Sequence, residues 1–204
     1  METIACSPLL LSFAATGPAK ASKMPNAPES PRPLDAPLVA AARRGDRTAF
    51  GELYRRHARL VQAVVLARVP RDGVDDLVQD VFLVAIDRLH TLRDDEAFAP
   101  WLATIARRRA ADWRRRRRDT VTLEDKLHET GREDADTAAA REAVDAIAAL
   151  PEAYRETLML RFVAGLNGPE IAARTGLTHG SVRVNLHRGV ALLRERLKGI
   201  DDHA

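Results

Sequence analysis

A single cysteine, Cys6, in a chain of 204 residues leaves no partner for an internal disulfide and no cysteine-based zinc site. Aromatic residues are scarce at 4%. No run alternates apolar and polar residues over a useful length, which argues against a sheet and for an all-α fold. Long hydrophobic runs are missing as well. The stretch "IACSPLLLSFAATG" follows Glu2 rather than a basic flank, is broken by Pro8 and is too short to span a bilayer. The expectation is a cytoplasmic protein with no membrane insertion. There is no P-loop, no Ser/His/Asp arrangement and no His/Cys spacing for a metal, so a recombinase or nuclease lacks support. No enzyme activity, cofactor, metal or small-molecule substrate is expected. Asp76 and Asp80, one helical turn apart, come nearest to a metal pair, but chelating carboxylates are the exception among helix-start acids.

What the chain does have is unevenly placed charge. Its net +3 hides eighteen arginines against eleven acids from Arg43 to Arg118, followed by eight acids against three basic residues from Asp119 to Glu142. The basic block suits a polyanion, because each phosphate neutralised releases counterions. Ala14 to Pro37 is dense in Pro, Ala and Ser, a composition that favours disorder over packing. The composition shifts divide the chain into a leader over 1–37, a helical unit over 38–118, an acidic linker over 119–138, a second helical unit over 139–198 and a tail over 199–204. No further sensor domain is expected after Leu197.

Three- and four-residue spacing of apolar residues predicts the helices. Phe50, Leu53, Tyr54, His57, Leu60, Val61, Val64 and Val65 form one stripe, with His57 read as a core-edge histidine. Val74, Leu77, Val78, Val81, Phe82, Ala85, Ile86 and Leu89 form a second, opened by Asp75 and Asp76 at the positive end of the helix dipole. A third helix buries Phe98, Trp101, Leu102, Ile105 and Ala106 and carries eight arginines between Arg107 and Arg118. Its "DWRRRRRD" is therefore the end of an anchored helix rather than a free tail. Trp101 reads as a packing residue; for Trp113, packing and base stacking both stay open.

The second unit ends in a helix-turn-helix pattern. Asn167-Gly168-Pro169 starts a short helix, Gly176 stops it, and Thr178 caps a longer basic helix running through Arg196. In that motif the second helix enters the major groove. Val182 and Leu186 are expected to face inward, and Arg183, Asn185, His187 and Arg188 outward.

Taken in order, "DDLVQDVFLVAI", "F..WL..IA", "D.RRRRR" and "LP..YRE...LRF..GL...EIA...G...GSVR..LHRG" resemble an extracytoplasmic-function sigma factor of the sigma-70 family, over about Leu38 to Leu197. The resemblance implies a sigma-2-like bundle of three or four helices and a sigma-4-like helix-turn-helix. It also implies core RNA polymerase and promoter DNA as partners, and an anti-sigma factor as inhibitor. Carried over, it assigns core-polymerase contacts to Asp76, Gln79 and Asp80. It assigns −10 contacts to Arg107, Arg108, Trp113, Arg114, Arg115, Arg116 and Arg117. The −35 contacts fall to Thr178, Ser181, Arg183, Val184, Asn185, His187 and Arg188. Arg108 stands where the family commonly has Asn, and Arg183-Val184-Asn185 where it often has Lys/Arg-Ser-Arg, so no promoter sequence is inherited. The alternative is a stand-alone helix-turn-helix regulator, which leaves the tryptophan-arginine helix and the acidic linker unexplained.

Overall fold

The computed structural model describes residues 34–120 and 135–201, with side chains described over 34–118 and 138–198. Among the described residues there are α-helices and short 3-10 turns but no strand. The first unit holds α1 (Ala36–Arg43), α2 (Arg47–Leu66), α3 (Val74–Arg88) and α4 (Phe98–Thr120). The second holds α5 (Ala135–Ala148), α6 (Glu152–Phe162), α7 (Gly168–Thr175) and α8 (His179–Asp201).

Three boundaries differ from expectation. α1 begins at Ala36, inside the segment read as leader, because Pro37 fits the first helical turn and the fully buried Val39 anchors the helix. At the linker, α4 runs on to Thr120 and α5 starts at Ala135, since nothing in the arginine run or the alanine-rich stretch breaks a helix. α8 continues to Asp201, into the expected tail. The rest of the expected leader and the centre of the linker, 1–33 and 121–134, lie outside the described residues.

α2 starts where the Asp46 carboxylate accepts from the Thr48 and Ala49 amides at 2.9 and 3.1 Å, satisfying two otherwise orphaned donors. Its stripe of Leu53, Leu60, Val61 and Val64 packs against α1, α3 and α4. Two expected stripe members turn out differently. Tyr54 is exposed at the margin, its ring 4.5 Å from that of Phe82. Ile86 is 46% exposed beside a shallow groove that it lines with Ala42 and Leu92, past the edge of the buried arc of α3.

His57 is buried, as read, and its Nε2 donates to Asp35 Oδ2 at 2.8 Å while its ring meets Phe98 at 5.3 Å. The contact ties the start of α1 to α2 and α4. Burial pushes the Asp35 carboxyl up, but the hydrogen bond and charge of His57, with Arg56 3.6 Å away, outweigh it and hold the carboxyl below its ordinary value. A depressed folded pKa contributes stability above the unfolded pKa, lost as pH falls through the folded one. Asp35→Asn should therefore be less stable than the natural chain at neutral pH. In urea unfolding at successively lower pH the two should converge in the acid range; a constant gap would mean the carboxylate charge plays no part.

In the second unit α6 packs against α5 and α8, and Leu158, Met159, Leu160 and Phe162 are all buried. A Cβ at Gly189 would lie 2.9 Å from Leu158 Cδ1 and 3.2 Å from Tyr154 Cβ, so glycine in mid-helix lets α8 cross α6 closely. α7 carries a capping box, Asn167 Oδ1 accepting from the Glu170 amide at 2.9 Å and Glu170 Oε2 from the Asn167 amide at 2.8 Å. It ends at Gly176, whose φ of +74° is left-handed backbone that glycine adopts without strain. These two signals fix the turn that aims α8.

Candidate polymerase and nucleic-acid interfaces

Helical spacing puts Asp76, Gln79, Leu83 and Ile86 on one side of α3, opposite its buried stripe, and all four are exposed. Leu83, at 66% exposure, is the member the periodicity did not single out. An apolar residue displaced from the stripe was the available signal. Asp80 sits at the edge of this face with a structural partner: its Oδ2 accepts from both Nε (2.9 Å) and Nη2 of Arg109 on α4. Asp80→Arg would set two guanidiniums against each other, so Leu83 is the cleaner probe of this surface.

The arginines of α4 fall into two groups. Arg108, Arg115, Arg116 and Arg118 are exposed, while Arg107, Arg109, Arg114 and Arg117 are half-buried. Arg115 pairs with Asp112 at 2.8 Å, one turn back. Arg117 reaches Asp72 at 2.9 Å and covers the Trp113 ring at 5.0 Å. Beneath lies Gly73, where a Cβ would come within 2.6 Å of Trp113 Cζ2, so any side chain there would displace the indole. Trp113 is packed between the Gly73 backbone and the Arg117 guanidinium. The net positive charge of the helix end is thereby fixed to a rigid support.

On α8, Thr178 Oγ1 accepts from the Ser181 amide at 3.1 Å and lies 2.9 Å from Ser181 Oγ, so both side chains serve the helix cap. Arg183, Val184, His187 and Arg188 are exposed at spacing that gathers them on one side, away from the buried Val182 and Leu193. Asn185, expected to face outward, is half-buried, and its Nδ2 donates to the Ala153 carbonyl at 3.1 Å. The outer face is thus basic with one apolar residue, able to meet phosphates and base edges.

An all-helical first unit with a fixed basic helix, and a second built as a helix-turn-helix, define a two-part DNA-binding protein. The family profile described as Sigma-70 region 2 matches residues 53–120, and that described as Sigma-70, region 4 matches 140–193. RNA polymerase sigma factor CarQ of Myxococcus xanthus is 36% identical over 162 residues, covering 76% of this chain and 92% of CarQ. ECF RNA polymerase sigma factor SigD of Mycobacterium tuberculosis is 35% identical over 187 residues, 84% of this chain and 87% of SigD. Among solved structures, CnrH in complex with the cytosolic domain of CnrY superposes with a TM-score of 0.61 at 29% identity, covering 82% of this chain and 99% of CnrH. The chain belongs to the extracytoplasmic-function sigma factors of the sigma-70 family and is an alternative sigma factor directing transcription initiation. The reading as a stand-alone regulator is not favoured, because the matched regions include the first unit, which that reading left without a task. No helix among the described residues is long and apolar enough to cross a membrane.

Proposed function

We propose that the exposed face of α3, Asp76 and Gln79 with Leu83 and Ile86 and with Asp80 at its edge, docks on core RNA polymerase. The arginine-rich half of α4 holds backbone phosphates beside the −10 element, through Arg107, Arg108 and Arg114 to Arg117, with Arg107, Arg115 and Arg117 exchanging their internal acids for phosphate. Trp113 supports this surface by packing. On α8, Arg183, Val184, His187 and Arg188 address the −35 element, while Thr178, Ser181 and Asn185 hold the helix that presents them. The protein works in the cytoplasm as a regulatory subunit with no chemistry of its own. An anti-sigma factor restrains it, a reading supported by the likeness to CnrH, which is solved with the cytosolic domain of CnrY bound.

The observation that carries the −10 assignment is the anchoring of α4: its first half is buried through Phe98, Leu102 and Ala106, and its second half presents exposed guanidiniums. A rigid basic helix neutralises phosphate without reading sequence. Arg116→Ala should therefore weaken holoenzyme binding to many promoters alike and flatten the plot of log K against log salt by up to about one unit. An unchanged slope, or loss confined to particular promoters, would remove Arg116 from the phosphate contacts.

A further inference from the structure

Arg107, assigned above to the −10 surface, does not point toward solvent. Its Nε donates to Glu156 Oε1 at 2.9 Å, and its Nη2 to the carbonyl of Arg174. The other oxygen of the same carboxylate, Oε2, accepts from Arg68 Nη2 at 2.7 Å. Arg68 and Arg107 stand on or beside the helices of the first unit, whereas Glu156 and Arg174 belong to α6 and α7 of the second. One carboxylate, 18% exposed, thus holds two guanidiniums across the boundary between the units. Nearby, Arg71 Nε donates to Asp145 Oδ1 at 2.7 Å and its Nη2 to the Arg141 carbonyl, a second tie. α2 packs on α6 and α4 on α7, and buried residues of both units form one contiguous cluster.

This closed arrangement cannot occupy a promoter. A globular body of roughly 150 residues is about 40 Å across. The −10 and −35 elements are separated by about 25 base pairs, roughly 85 Å of duplex at about 3.4 Å per step. A chain that reads both at once has to separate its units. We propose that Glu156 is an internal latch: through Arg68 and Arg107 it holds the two DNA-reading units together and keeps Arg107 from phosphate. The proposal rests on the −10 and −35 reading above. Opening returns Glu156 to water and hands Arg107 to DNA. Core polymerase, where it holds the second unit away from the first, and promoter DNA both favour the open chain and draw the population toward it. The affinity observed for core is reduced by the fraction of chain that is open.

The test uses the full chain with spin labels at Glu96→Cys and Ala191→Cys, both exposed sites outside the latch, in a Cys6→Ser background. Pulsed dipolar spectroscopy gives the distance distribution, and titration of core RNA polymerase gives affinity. Without core, the otherwise natural chain should show mainly a short, narrow distribution. Glu156→Gln, and independently Arg68→Gln, should move weight to a broad, longer one. Circular dichroism establishes that each variant is folded. Core should bind Glu156→Gln roughly tenfold more tightly. Distributions that stay unchanged in both folded variants would overturn the latch, and so would opening without any gain in core affinity. If no form of the chain, opened or closed, binds core, the promoter reading fails, while the distances alone still decide whether Glu156 closes the molecule.

Discussion

Phe98→Ala is expected to lower the free energy of unfolding by about 3–5 kcal/mol. Phe98 is fully buried at the start of α4, with ring centroids 5.3 Å from His57 and 5.9 Å from Trp101. Truncation leaves a cavity where α2 and α4 meet and removes the surface against which the His57–Asp35 contact is held. Against a total stability of about 5–15 kcal/mol for a domain, that loss unmoors the arginine-rich helix end from its support. Urea denaturation followed by far-ultraviolet circular dichroism measures it directly. A loss below about 1 kcal/mol would mean that the junction collapses around the gap and that Phe98 is not the anchor of α4.

The second large effect is on specificity rather than stability. Arg188 is exposed on the outer face of α8, and a guanidinium there can fork onto guanine O6 and N7, worth about 1–3 kcal/mol of discrimination, or roughly 5- to 150-fold. Arg188→Ala should relax the preference at one −35 position and leave assembly with core polymerase intact. Transcription from a library of −35 substitutions reads this out. Equal loss across the library would make Arg188 a phosphate contact instead, the behaviour expected of Arg116.

Most of the helical framework was legible because it is written locally. The stripes of α2 and α3, the Asn167 start and Gly176 stop of α7, and Thr178 before α8 are all set by residues within a turn or two of where they act. The start of α1 fell inside the expected leader because Ala36 and Pro37 continue a composition that reads as disorder, and the burial of the helix depends on distant α2. Ile86 was assigned to the core because an apolar residue looks the same in sequence whether it packs inside or waits for a partner. The arginines were the hardest. Arg109 finds Asp80, Arg117 finds Asp72 and Arg107 finds Glu156, each across 29 to 49 residues of chain, so their commitment to internal acids is a property of the tertiary fold. Asn185 is a similar case: its spacing fits an outward face, yet its amide is taken by the Ala153 carbonyl.

The division of labour between the two units is tested most directly by reconstitution. Purified chain is mixed with core RNA polymerase, passed over a sizing column, and the co-eluting fraction is given a promoter template and nucleotides. The account predicts co-elution and transcripts starting at one defined site that core alone does not use, with footprints over both the −10 and −35 elements appearing only when core is present. A chain that stays apart from core and protects a symmetric DNA site by itself would contradict it.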